Sequence, residues 1–483
     1  MFRRTKIVAT VGPASETPEM IDALITTGVD VFRLNFSHGE QEQKVPIIRC
    51  IRETARKYKK AVAILGDLQG PKIRVGRMKG GALELVAGSD VTITTRPVEG
   101  EGNLISTVYQ GLPKDVIPGD RILLDDGLME LEVLASIGDE VRCQVITGGI
   151  LKDRKGMNLP GAKISAPALT EKDREDLEFC IREELDYVAL SFVREAADVI
   201  ELKEIIKERE SFLRVISKIE KPEAVANFEK ILDVSDGIMV ARGDLGVEIN
   251  PEKVPLIQKR IIRLCNEAGC PVITATQMLE SMVQNPRPTR AETSDVANAI
   301  LDGTDAIMLS AETASGRYPI EAVSMMVQVA RDIEAEPLLP KPSLTPSIEL
   351  KDHGRLSEVI GQAACRVAEG VNASAILAFT QTGRTATLVS KYRPPLPIIA
   401  VTPAQQVRRR LALYAGVTAI RVDIEGDTES QILSVDEAVL ATGLLKPDDV
   451  VVITMGSPLS TTGTTNLLKV HRLGEAPRNW GGE

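Results

Sequence analysis

No window of this 483-residue chain approaches the uninterrupted apolar run of about 20 residues that a membrane-spanning helix requires. Six cysteines (Cys50, Cys143, Cys180, Cys265, Cys270 and Cys365) are scattered without a Cys-x-x-Cys pair, and there are only three histidines. Neither a disulfide framework nor a zinc site is indicated, and each cysteine reads as a small buried hydrophobe. Positive charge is not in excess either. The net charge of −10 argues against nucleic acid as a partner, while leaving local basic clusters free to bind small anions such as phosphorylated metabolites. The opening "MFRRTKIVATVG" enters a strand-like run at once without a signal-peptide apolar core, so a cytoplasmic location with no membrane partner is expected.

What is present is ample core material, 43% hydrophobic, in a chain too long for one core, so two or three domains are expected. Short apolar runs alternate with helical patterns: "KIVATVG", "VDVFRLNFS", "AVAILGDL", "DYVALSF", "LRVISKIE", "GIMVARGDLG", "PVITATQ" and "DAIMLSAET". A typical helix, "TPEMIDALITTG", opens on Thr17 with Pro18 in its first turn and closes on Gly28. Eight strand-helix units predict an α/β fold, a (β/α)8 TIM barrel, with a doubly wound open sheet as the alternative.

The series is interrupted after its third strand. Residues 71–166 change to alternating apolar and polar positions with Gly, Asp and Pro turns, predicting a small antiparallel β-barrel lid inserted between necks at Gly70-Pro71 and Ala166-Pro167. The barrel then comprises residues 1–70 and 167–338, and the lid overhangs the strand-end face where barrel chemistry takes place. A proline-rich linker over roughly 335–347 precedes a C-terminal open α/β sheet domain, 348–474, and a tail, 475–483.

Polar residues fall at the strand ends. Arg33, Asn35 and Ser37 are two apart in "RLNFS" and share one face; Lys218 and Glu220, Thr274 and Thr276, and Ser310 and Glu312 repeat the device, while Asp67 and Asp244 close their own strands. In a barrel these ends meet at one mouth. The inventory suits phosphoryl or enolate chemistry on an anion: Arg33 and Lys218 supply positive charge, and Glu220 and Asp244 are hard oxygen ligands fit for Mg2+. Gly243 and Gly246 in "ARGDLG" leave backbone N–H groups free for a carboxylate. A lyase or aldolase acting on pyruvate-like acids, and a silent sugar-phosphate sensor, share parts of this inventory.

The stretches "RLNFSHG", "ISKIE", "MVARGDLGVE", "ITATQMLESM" and "NPRPTRAETSDVANAILDGTDAIMLSAETA" closely resemble the pyruvate kinase family, over nearly the whole chain. The resemblance implies phosphoryl transfer from phosphoenolpyruvate to ADP, the last step of glycolysis, with Mg2+ (or Mn2+) as cofactor. It implies that Arg33 and Lys218 contact the phosphoryl group, that Glu220 and Asp244 bind the metal, and that Gly243, Asp244 and Thr276 seat the substrate carboxylate. Thr276 and Ser310 are implied in the water network that protonates the enolate carbon. Pro13, Asn35, His38, Arg74 and Lys155 match positions on the nucleotide side. In the last domain "TQTGRT", with Thr380, Thr382, Gly383, Arg384 and Thr385, resembles a phosphate cradle for a sugar-phosphate or nucleotide-monophosphate effector, over which "GSPLSTTGTT" closes. A homotetramer is also implied, with "PRPTRAE" near an interface between barrels.

One stretch departs from the better-known members, whose Asp-Thr-Lys-Gly-Pro-Glu is here "DLQGPK". In those members K+ sits among Asn, Ser, Asp and Thr oxygens. Asn35, Ser37 and Asp67 are retained, but Leu68 removes the hydroxyl and Lys72 replaces the acid. The expectation is that the Lys72 ammonium offsets Asp67 and does the work of K+, which is then not required.

Overall fold

The computed structural model describes residues 2–162, 164–336, 352–423, 428–456 and 465–474. Most of the proline-rich linker and the tail 475–483 therefore lie outside the described residues. Eight strands form a closed parallel barrel: β1 (Lys6–Val11), β2 (Val31–Asn35), β3 (Ala63–Asp67), β4 (Tyr187–Leu190), β5 (Arg214–Ile219), β6 (Gly237–Ala241), β7 (Val272–Ala275) and β8 (Ala306–Leu309). Closure is made by β1 against β8, with Lys6 opposite Ala306, and the open-sheet alternative is thereby set aside.

The helices between strands carry their own stop and start signals. Thr17 caps the helix Pro18–Thr27 by accepting a hydrogen bond from the Met20 N–H, and Gly28 ends it at φ 142°, a conformation that side chains rarely adopt. The apolar face of each helix packs on the outside of the barrel against Ile7, Phe32, Leu34, Ile64, Val188 and their neighbours. A second cluster fills the interior: Val8, Val31, Leu65, Ala189, Ile216, Met239, Ile273 and Met308 come from all eight strands.

That interior layer explains the polar one above it. Two residues further along each strand, on the same face, stand Thr10, Arg33, Asp67, Ser191, Lys218, Ala241, Ala275 and Ser310. The chain thus builds an apolar floor and a polar mouth from one alternation. The base is plugged by Ala412 and Leu413 of the last domain, which join the interior cluster, and the buried Tyr187 hydroxyl donates to the Arg410 carbonyl at 2.8 Å.

The insertion after β3 contains a six-stranded sheet and a separate two-stranded ribbon around its own apolar core. Its pairing is antiparallel except between Asp90–Thr94 and Leu104–Ser106, which run parallel because the chain crosses back between them through residues 95–103. The last domain is a five-stranded sheet. Its strands Val417–Arg421, Ile398–Thr402, Ala375–Phe379 and Val450–Met455 are parallel, and Leu467–Arg472 is added antiparallel at the edge.

Packing is tight where β3 meets the helix Glu171–Arg182. A Cβ placed on Gly66 would lie 2.6 Å from the Cys180 sulfur and 3.0 Å from the Phe36 ring. Gly66→Ala is expected to destabilise the barrel by about 1–3 kcal/mol through overpacking. Adding Cys180→Ala is expected to recover part of the loss, which thermal unfolding of the two variants checks; no recovery would mean that the sulfur is not the obstacle.

Candidate functional site

The polar mouth is organised around Asp67, which is 1% exposed at the end of β3. The register places Asn35 opposite Asp67 and Arg33 opposite Leu65, so the Arg33 guanidinium reaches sideways to the carboxylate, Nε to Oδ2, at 2.6 Å. Arg33 is steadied from β1, where the Thr10 hydroxyl accepts its second nitrogen at 3.0 Å and donates to the Leu309 carbonyl. From the other side Lys218 Nζ stands 3.4 Å from Asp67 Oδ1, 2.8 Å from Glu220 Oε1 and 2.8 Å from the Ser191 hydroxyl. Ser191 in turn donates to the Leu68 carbonyl at 2.7 Å.

These groups titrate each other. Burial alone would raise the Asp67 carboxyl, but the Lys218 and Arg33 charges outweigh it and hold it below the usual range. Burial would lower the Lys218 ammonium, yet Asp67 and Glu220 push it well above the ordinary lysine value. The Glu220 carboxyl is raised, by burial first and then by Asp244, against the pull of Lys218. Three carboxylates, Asp67, Glu220 and Asp244, thus face two cations, Arg33 and Lys218, in a desolvated pocket.

The remaining mouth residues follow from the loops. Glu220 Oε2 accepts the Phe192 N–H at 2.7 Å, which holds Phe192 at φ 55°. The buried Glu220 Oε1 faces the Lys218 ammonium at 2.8 Å. Asp244 lies in the first turn of the helix Arg242–Glu248 and lines a cleft with Lys72, Phe192, Arg194 and Lys221, between barrel and insertion. Thr276 holds a left-handed backbone, φ 71°, and its hydroxyl accepts the Gly243 N–H at 2.7 Å while donating to the Ala275 carbonyl. Arg242 binds the Ala275 and Thr276 carbonyls and Asp295, fixing that turn. The Ser310 N–H is held by Glu312 Oε2 at 2.7 Å, and Glu312 Oε1 accepts the Leu279 N–H, so this buried acid ties the loops after β7 and β8.

Arg33, Asp67, Lys218 and Glu220 are therefore linked in series by contacts, and Gly243, next to Asp244 in the chain, is bonded to Thr276. Asn35 accepts the Ser37 N–H at 3.0 Å. Pro13 and His38 are exposed on the loops after β1 and β2. The His38 imidazolium is disfavoured by partial burial and then by the Lys72, Arg74, Arg33 and Lys44 charges, which puts Lys72 and Arg74 in its field. Arg74 donates to the Arg154 carbonyl, and Lys155 pairs with Asp125 of the insertion at 2.8 Å. Thr274, which shares the alternation of Thr276, faces away from the mouth and bonds the Thr304 hydroxyl at 3.0 Å.

Lys72 requires a correction. It is exposed and pairs with no carboxylate among the described residues, so the cations that offset Asp67 are Arg33 and Lys218. The reason is steric. Gly70 turns the chain at φ 67°, its N–H bound to Asp173, and the neck then leaves the barrel wall before Lys72 is reached. Leu68 points into the apolar core at 1% exposure.

Residues that sequence reasoning overlooked include Thr10, Ser191, Lys221, Arg242 and Glu248. Thr10 and Ser191 were visible in principle, two positions beyond the interior residues Val8 and Ala189. In the last domain the Thr380 hydroxyl accepts the Gly383 N–H at 2.8 Å, Gly383 adopts φ 98°, and the Thr385 and Thr465 hydroxyls meet at 3.0 Å. Residues 457–464 of the second loop lie outside the described residues. Thr382, Gly383 and Arg384 border a cavity of about 540 Å³ shared with Arg214 and Tyr187 at the barrel base.

A divalent cation fits the mouth. Among the described residues no group of three or more His, Cys, Asp or Glu side chains could hold a metal, so a site here is limited to few protein ligands. Glu220 and Asp244, hard oxygen donors close enough for each charge to disfavour the other, match an ion that keeps waters and takes substrate oxygens.

Comparison with known proteins agrees with this geometry. Residues 2–323 match the barrel domain of pyruvate kinase and residues 358–471 its alpha/beta domain. The chain is 48% identical to a pyruvate kinase of Staphylococcus aureus strain MRSA252, covering 99% of this chain and 82% of that one, and 47% identical to that of strain USA300 over the same shares. A crystal structure of a pyruvate kinase from Cryptosporidium parvum superposes with a TM-score of 0.91 at 40% identity, over 98% of this chain and 96% of the other. The chain belongs to the pyruvate kinase family and is a phosphotransferase.

Proposed function

We propose that this enzyme transfers the phosphoryl group of phosphoenolpyruvate to ADP, giving pyruvate and ATP. The observation that carries the reading is the contact set of Arg33, Asp67, Lys218 and Glu220 at the mouth. Lys218, kept charged by Asp67 and Glu220, follows negative charge as it passes between bridging and transferring oxygens, and Arg33 binds the phosphoryl oxygens. Asp67 presets both cations, so little reorganisation accompanies the transfer. Glu220 and Asp244 would hold Mg2+, or Mn2+, which would supply positive charge toward the substrate oxygens. Gly243, Asp244 and Thr276 seat the carboxylate, and Thr276 with Ser310 orders water toward the enolate carbon. ADP enters beside Pro13, Asn35, His38, Arg74 and Lys155 as the inserted domain, 71–166, closes over the barrel.

The remaining readings concern control. Asn35, Ser37, Asp67 and Lys72 replace a K+ site, Lys72 acting through its field on the cleft it lines. An effector phosphate binds at Thr380, Thr382, Gly383, Arg384 and Thr385 of the C-terminal domain, and the assembly is a homotetramer working in the cytoplasm. What supports the effector reading is that Thr382, Gly383 and Arg384 border the cavity at the barrel base.

Lys218→Met is expected to lower kcat about 100- to 1000-fold in a coupled assay with phosphoenolpyruvate, ADP and Mg2+, run at a temperature where circular dichroism shows the variant folded, since loss of this buried cation also lowers the unfolding temperature. Wild-type-like turnover in that variant would refute the assigned role, and no ATP formation by the parent enzyme would refute the reaction. In a tetraalkylammonium buffer free of Na+ and K+, the enzyme is expected to retain full activity. The Lys72→Glu, Leu68→Thr double variant is expected to become K+-stimulated; strong stimulation of the unaltered enzyme by K+ would count against the replacement.

A further inference from the structure

We infer that Glu248 is a latch between the inserted domain and the metal end of the barrel, and that Asn158, Glu248 and Lys221 are positioning residues for the divalent cation. The inference rests on the assignment of Glu220 and Asp244 as metal ligands.

The Glu248 side chain is 1% exposed at the last turn of the helix Arg242–Glu248 that carries Asp244 in its first. Its Oε1 takes two donors from different parts of the chain. Lys221 Nζ, directly after Glu220, approaches at 2.5 Å, and the Asn158 amide, from the insertion strand Met157–Asn158, at 2.8 Å. Its Oε2 is buried without a partner. One carboxylate oxygen therefore joins the loop after β5, the helix after β6 and the lid.

Two features make this junction more than a local ion pair. Lys221 is only 5% exposed and lies over the Phe192 ring at 5.7 Å, the same Phe192 whose N–H holds Glu220. Lys221 and Asp244 line one cleft, so an ammonium in that position, held less firmly by Glu248, would compete with a divalent cation for Glu220 and Asp244. The lid is also seated on neighbouring barrel loops: Arg194, in the loop after β4, donates to the Ile164 and Ala166 carbonyls of the return neck at 2.5 and 2.9 Å, and a Cβ built on Gly127 would lie 3.8 Å from Val247 of the helix after β6. Displacing the lid removes Asn158 from an acid that already lacks one partner. In low dielectric, Glu248 then binds Lys221 alone and its geometry is free to change, so lid position and metal affinity are coupled.

The test is Mn2+ binding to the full-length protein without substrates, followed by the electron spin resonance of free Mn2+. Asn158→Ala is expected to weaken Mn2+ about 10-fold and Glu248→Gln about 10- to 100-fold, with Asn158→Gln, which keeps an amide donor, recovering part of the loss. Affinity unchanged in Asn158→Ala, with only a lower unfolding temperature, overturns the latch; this variant decides the matter even where Glu248→Gln does not fold. Glu220→Gln is the control. If the parent protein binds no Mn2+, or Glu220→Gln binds it as tightly as the parent, the metal-site assignment falls and the latch with it. If Glu220→Gln loses Mn2+ while Asn158→Ala does not, the latch alone falls.

Discussion

A desolvated carboxylate between two cations is the constraint on which this structure turns. Asp67 lies on β3, Arg33 on β2 and Lys218 on β5, so the pairings exist only if the barrel closes in this register. Removing one partner of such a buried set typically costs about 3–5 kcal/mol, because the other charges are left uncompensated. The same contacts leave Arg33 and Lys218 oriented before any substrate arrives. Stability and reactivity are therefore linked through one side chain, and the apolar layer beneath it excludes the water that would screen them.

The alternation that builds this mouth is also why so much of it was legible. Strands of period two announce their inward face, and the switch from Leu65 to Asp67, or from Ile216 to Lys218, marks the height at which core becomes site. Arg33, Asp67, Lys218 and Glu220 could be gathered on that basis. What pattern does not carry is the loop beyond the strand. Thr276 and Phe192 sit at positive φ, which β-branched and bulky residues rarely adopt, and each is held there by contacts from a neighbouring loop. Thr274 shows the converse: it has the right spacing, yet its face is turned to Thr304. Lys221 and Glu248 are 27 residues apart and carry no local signal of their pairing.

The domains are joined by the same kind of paired, desolvated charge as the mouth, but at the opposite end of the barrel. Arg393, from the last domain, makes two bonds to Asp305 at 2.7 and 2.8 Å, just before β8, and the same carboxylate accepts the Ala415 and Val272 N–H groups. Asp186, just before β4, binds Arg52 and Arg409. Strands β4 and β8 thus begin at contacts with the last domain and end at Ser191 and Ser310. A rigid strand anchored at both ends is a short path between the domain interface and the mouth.

Proximity in sequence misled at one position, and the cause is physical. Asp67 and Lys72 are five residues apart, within reach of each other if the chain doubled back between them. Between them stand Leu68, drawn into the core, and Gly70, turned left-handed against Ser191 and Phe192 with no room for a Cβ. Those two anchors commit Asp67 to the barrel and send Lys72 outward along the neck. At the exposed edge of the cleft the Lys72 charge is screened by solvent, whereas the buried Arg33 and Lys218 charges next to Asp67 are not, and contact decides which cations balance the carboxylate.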